Sequence, residues 1–131
     1  MRTIKFRGYS KDFTENEWFF GNLIDKGNGS LQILEKNPKI WDLSYDGIAV
    51  LPESIGQFTG LHDKNGKEIY EGDILEDTLG RKKLVEYYKD GFWLNAFLEG
   101  AEWCLRQVNS SSKIIGNLYE NPELLEKKFA D

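Results

Sequence analysis

Gln57-Phe58-Thr59-Gly60-Leu61-His62-Asp63-Lys64-Asn65-Gly66-Lys67-Glu68-Ile69-Tyr70-Glu71-Gly72-Asp73-Ile74-Leu75 is the stretch that decides the fold. Residues 57–61 have the apolar content of a short strand. Asp63 to Lys67 is a tight turn built around Asn65-Gly66, the pair most tolerant of positive φ. Residues 68–70 resume the chain as a return strand. Glu71-Gly72-Asp73 breaks it again before Ile74-Leu75, and a carboxylate at Asp73 can accept backbone N–H groups and hold such a corner. Strand, turn, strand and corner within twenty residues describe an antiparallel β fold.

The same rhythm continues on both sides. Residues 3–7 alternate, with Ile4 and Phe6 on one face and Thr3, Lys5 and Arg7 on the other, the period of a half-buried strand. Residues 17–25 and 31–34 form two strands around the reversal Lys26-Gly27-Asn28-Gly29-Ser30. Asn37-Pro38 and Asp46-Gly47 are turns, residues 48–51 a short apolar run, and 52–56 holds one helical turn or none. Gly80 lies in a further turn. Residues 83–88 and 92–98 are strands separated by Lys89-Asp90-Gly91, and 101–108 is open between strand and short helix. Residues 113–118 form a last strand. Asn121 as N-cap, Pro122 at N1 and Glu123 in the first turn open a short helix over 122–129, with Leu125 and Phe129 on one face. The expected fold is a mainly β single domain over 1–131, a small barrel or a strongly bent antiparallel sheet with that helix at its end.

The 131 residues are 40% hydrophobic, 14% aromatic and 30% charged, too apolar for a disordered chain. No apolar run nears the roughly 18 residues that cross a bilayer. The opening Met1-Arg2-Thr3-Ile4 is unlike a signal peptide, so the expected compartment is the cytoplasm. The net charge of −5 falls wholly on residues 53–131, because residues 1–52 carry as many basic as acidic side chains. An acidic chain disfavours broad nucleic-acid binding, which depends on Lys and Arg displacing counterions. Arg2, Lys5 and Arg7, and Arg81-Lys82-Lys83, are local basic candidates, read first as solvated positions.

Residues 57–74, together with Ile115-Gly116-Asn117-Leu118-Tyr119-Glu120-Asn121-Pro122-Glu123-Leu124-Leu125 and the opening Arg2, Ile4, Lys5, Phe6 and Arg7, resemble the YopX-like phage protein family. His62 departs from it, where the family more often carries Lys. The resemblance implies a mostly β fold around a small barrel, an oligomer, and a place in phages and prophages. It brings no catalytic residue and no cofactor. The matching blocks contain Gly60, Asp63, Asn65, Gly66, Gly72, Asp73, Gly116, Asn117, Asn121 and Pro122, which are read as structural.

Other chemistry is tested residue by residue. Asp63-x-Asn65 opens like a calcium loop, but Gly66 falls at position four and position twelve is Ile74, so the spacing fails. Glu68, Glu71 and Asp73 form an acidic cluster that a Mg²⁺-dependent hydrolase would need, yet side chains across the Gly72 turn point apart. His62 has no partner for general-base work. Cys104 is read as a small buried hydrophobe. No phosphate loop or zinc spacing is present. No catalytic, cofactor or metal residue is therefore assigned.

Aromatic residues remain: Trp18, Phe19, Phe20, Tyr87, Tyr88, Phe92, Trp93 and Phe97. Adjacent strand residues face opposite sides, so these pairs place rings on both faces of a sheet. A second layer or a partner must cover them, and Trp18, Phe20, Tyr88 and Trp93 are the candidate interface. The expectation is a non-enzymatic phage accessory protein that self-associates or meets a phage or host protein. The alternative is a nucleic-acid platform of the basic residues and exposed rings.

Overall fold

The computed structural model describes residues 3–10, 17–35, 47–88, 91–96 and 101–125, with backbone alone at 88, 91–96 and 101–103. The turn at Asn37-Pro38, Arg2, Phe97 and Phe129 lie outside the described residues. The fold is mainly β and antiparallel, and both sheets are open rather than closed into a barrel. The chain divides into two compact units, Met1–Phe58 and Thr59–Asp131.

In the first unit, β1 (Phe6–Ser10), β2 (Glu17–Asp25), β3 (Leu31–Glu35) and β4 (Ile48–Val50) lie in the order β4-β3-β2-β1. Gly56 and Gln57, which begin β5 (Gly56–His62), pair with Arg7 and Phe6 on the other side of β1. A 3-10 turn occupies Pro52–Ser54, and Tyr9 N–H donates to the Ser54 hydroxyl at 2.8 Å. Phe19, Ile33, Ile48 and Val50 form the core of this unit, flanked by Phe6, Leu23, Leu31 and Ile55. Burying each such side chain stabilises by about 1.5–3 kcal/mol.

The first strand begins at Phe6, three residues later than its alternation suggests. Phe6 packs on the core, but Ile4 is exposed. The inward series is Phe6, Gly8 and Ser10, and its last two members are too small to read as apolar. Gly8 is required there, because a Cβ would meet the branched Val50 side chain at 2.8 Å.

In the second unit, the rest of β5 pairs with β6 (Glu68–Tyr70). A five-stranded sheet follows in the order β10-β9-β8-β7-β11, built from β7 (Asp73–Glu76), β8 (Lys82–Tyr88), β9 (Gly91–Ala96), β10 (Ala101–Cys104) and β11 (Lys113–Asn117). Residues 101–108 are both of the things they resemble: β10 passes directly into the short helix α1 (Leu105–Val108). Leu75 and Val85 pack with Ile69 and Leu105 on one face. Ile74 and Leu84 pack with Leu125 on the other, flanked by Ile115 and Leu124. The sheet is thus covered on both sides at its centre. The C-terminal helical turn starts at Pro122 and is 3-10 through Leu125, and residues 126–129 lie outside the described residues. Asn121 Oδ1 accepts the Asn117 N–H at 3.2 Å, so this side chain closes the preceding turn.

Candidate functional site

The face of the first-unit sheet opposite its core is set by strand alternation. Arg7 stands opposite Phe20 and Tyr9 opposite Trp18 across the β1–β2 ladder, and partners opposite one another share a face. Ile24 is opposite Gln32, and Asn22 opposite Leu34, on the β2–β3 ladder. Tyr9, Trp18, Phe20, Ile24 and Leu34 therefore make an apolar stripe on the side away from Phe19, which they share with Arg7, Asn22 and Gln32. Tyr9 and Trp18 meet edge to face, with centroids 5.3 Å apart at 64°. The Arg7 guanidinium lies 4.8 Å from the Trp18 ring centroid and Lys5 Nζ lies 5.1 Å from that of Phe58, both cation–π distances. Trp18 is half-buried by this packing, whereas Phe20 remains 45% exposed. Tyr9 is a member of the stripe that reading the ring pairs alone overlooked.

The other candidate rings lie in the second unit. Tyr87 is 56% exposed. The side chains of Tyr88, Phe92 and Trp93 lie outside the described residues, so the stripe consists of first-unit residues.

Two of the basic candidates, Arg7 and Lys83, are buried, while Lys5, Arg81 and Lys82 are half-buried. Arg7 is 9% exposed and Lys83 is 1% exposed. Lys83 Nζ lies 3.3 Å from Asp77 Oδ2, and Arg81 Nε donates to that same oxygen at 2.7 Å. The reason is the β7–β8 hairpin, which folds Asp77 onto both cations. Burial by itself would raise the Asp77 pKa. Hydrogen bonds from the Arg81 backbone and guanidinium, from Leu79 N–H and from Lys83 outweigh it and hold the carboxyl at about 2, below its ordinary 3.8.

The residues read as structural sit at corners. Asp63 is buried; its Oδ1 accepts Asn65 and Lys67 N–H, each at 2.9 Å, and its Oδ2 accepts Ile114 N–H at 3.0 Å. Burial opposes ionisation, but those three N–H donors and the Lys67 charge lower its pKa. Gly66 closes the turn at φ +82°, its N–H donating to Asp63 O. Gly60 has φ +84° and Gly72 φ +93°. Asp73 is buried and accepts the Tyr70 N–H at 2.8 Å. Gly116 sits under Asn121, whose Oδ1 would lie 2.6 Å from an added Cβ, while Asn117 Oδ1 accepts the Glu120 N–H. Pro122 begins the C-terminal turn.

Asp63→Ala is expected to cost about 2–3 kcal/mol, since three backbone donors lose their acceptor. Asp63→Asn should lose roughly half of that, because one oxygen can still serve the turn while an NH₂ faces Ile114 N–H. Faster hydrogen exchange at the Ile114 amide in both variants is the check. Unchanged exchange there would show that Asp63 does not tether β11.

Glu68, Glu71 and Asp73 are not gathered into a site: among the described residues no group of three or more His, Cys, Asp or Glu is placed to hold a metal ion. Glu68 accepts the Tyr70 hydroxyl at 3.1 Å. His62 is exposed and its carbonyl accepts Asn109 Nδ2–H at 2.7 Å. Cys104 is half-buried rather than fully buried. Among the described residues no helix is long and apolar enough to cross a membrane.

A family model described as "YopX protein" matches residues 5–126. A similar solved structure is the crystal structure of protein EF1440 from Enterococcus faecalis, 28% identical, with a TM-score of 0.60 over 96% of this chain and 100% of that one. No curated protein matches this chain.

Proposed function

From the premise that this chain belongs to the YopX family, we propose that it is an accessory protein of a phage or prophage. In this reading it has no enzymatic activity, works in the cytoplasm of the host and acts by protein contact, first with a second copy of itself. The observation that carries the reading is the stripe of Tyr9, Trp18, Phe20, Ile24 and Leu34, with Phe20 exposed at its middle. Single exposed apolar side chains are ordinary, but several apolar side chains gathered on one sheet face mark an interaction surface. Its charged neighbours Lys5 and Arg7 lie over rings, so an apolar face can meet its own copy about a two-fold axis. A nucleic-acid platform is the weaker reading, because Arg7 is buried and Arg81 and Lys83 are already paired with Asp77.

Size-exclusion chromatography with light scattering tests this. The wild-type chain is expected to be a dimer or larger at micromolar concentration. Phe20→Glu, which buries two carboxylates at a symmetric contact, should weaken association by at least about tenfold. Circular dichroism checks that the variant still folds. A wild-type chain that stays monomeric sinks the proposal.

A further inference from the structure

The chain carries two Asn-Gly pairs in exposed hairpin turns, Asn28-Gly29 between β2 and β3 and Asn65-Gly66 between β5 and β6. Each pair has the same latent chemistry. The glycine backbone nitrogen attacks Cγ of the asparagine amide and closes a five-membered succinimide, with ammonia as the leaving group. Water then opens the ring to aspartate or isoaspartate. One water is consumed, one ammonia is released, and nothing is oxidised or reduced. Glycine favours the step because no Cβ crowds its nitrogen.

The two turns treat that nitrogen differently. Gly66 N–H donates to Asp63 O at 3.0 Å, inside a turn that Asp63 also ties to Ile114. Turning that nitrogen onto a side chain breaks the turn. Gly29 N–H has no acceptor among the described residues. Asn28 Oδ1 in turn accepts the Ser30 N–H at 3.1 Å. That donor polarises the carbonyl under attack and sits on the oxygen where negative charge collects as the ring closes. The same bond holds the side chain against its own backbone rather than out in solvent.

We propose that Asn28 is a spontaneous deamidation site, selected over Asn65 by these hydrogen bonds. The product carries a new carboxylate three residues from Asp25, whose Oδ1 holds the Gly27 N–H at 2.8 Å. In the isoaspartate product the main chain is one carbon longer between Lys26 and Ser30, the pair that closes the hairpin through Lys26 N–H and Ser30 O at 3.1 Å. The β2–β3 hairpin therefore carries a chemically timed change in charge and turn length.

The test is peptide mapping by mass spectrometry of the full folded chain, aged in mildly alkaline buffer, with a second sample aged in urea. In the folded chain, conversion at Asn28 is expected to outpace that at Asn65 on the order of tenfold. In urea, where both turns dissolve, the two rates should come within about twofold. Equal rates in the folded chain, faster conversion at Asn65, or a preference that persists in urea would each overturn the assignment.

Discussion

Gly21→Ala is expected to destabilise the first unit by about 3 kcal/mol or more, with a fall in Tm on the order of 10 °C. Gly21 is buried within β2, between Phe6 on β1 and Glu35 on β3. A methyl group there runs into the Leu34 carbonyl oxygen, and its nearest further neighbours are Leu34 C at 2.8 Å and Glu35 Cα at 3.0 Å. All three are backbone atoms of the adjacent strand. They can yield only by displacing the β2–β3 ladder, so the strain cannot be absorbed by a rotamer change.

Gly8 makes the informative contrast. Its added methyl would meet the Val50 side chain alone, at 2.8–2.9 Å. Gly8→Ala should therefore be partly rescued by Val50→Ala, whereas no side-chain trimming rescues Gly21→Ala. Urea unfolding curves of the three variants measure this. A Gly21→Ala variant within about 1 kcal/mol of wild type would mean that β2 and β3 are not as close as described.

How far such features can be read from the sequence depends on whether the signal is local. The Asp63–Lys67 hairpin is legible because Asn65-Gly66 and Asp63 act within five residues. Asp77 carries the same Asp-x-x-Gly-basic signature, through Gly80 and Arg81, and builds the same turn: Gly80 N–H donates to Asp77 O, and Leu79 and Arg81 N–H donate to Oδ1. The signal lies in residues 77–81 together, and Gly80 by itself marks only the corner. Arg7 is a different case. A charged residue in an alternating strand reads as solvent-facing, and only the long-range β1–β2 register brings Trp18 beneath it.

Two-faced apolar pairs proved equivocal for the same reason. At Ile74-Leu75 and Leu84-Val85 both faces are covered from within the second unit, by Ile69 and Leu105 on one side and Leu125 on the other. At Trp18-Phe19-Phe20 the inner ring is buried and Phe20 stays exposed. Adjacent apolar residues announce a two-layered environment. Which layer is supplied by the same chain is decided by contacts distant in sequence.

Asp77→Ala is expected to cost about 3–5 kcal/mol, the penalty of removing one member of a buried ion pair. The Lys83 side chain is 2% exposed and that of Asp77 9%, so the attraction between them is little screened by salt. The substitution also takes the acceptor from Leu79 and Arg81 N–H, which leaves the hairpin tip without its tie. Asp77→Asn keeps one oxygen for those two donors and loses the charge that faces Lys83 and Arg81. Its cost should be smaller. The two variants therefore separate turn closure from ion pairing.

Acid supplies an independent readout. The folded carboxyl titrates at about 2 against an ordinary 3.8, so as pH falls the unfolded chain takes up its proton first. The stabilisation from Asp77 is complete above 3.8 and is lost as pH falls from there through about 2. Asp63, whose pKa is also lowered, adds a loss of the same sign. Urea midpoints measured down this acid range should fall steeply for the wild-type chain and less steeply for Asp77→Asn, with the Asp63 share remaining. An acid limb identical in the two proteins would show that the Asp77 carboxylate is not held ionised by Arg81 and Lys83, and the burial of Lys83 would then need another source of compensation.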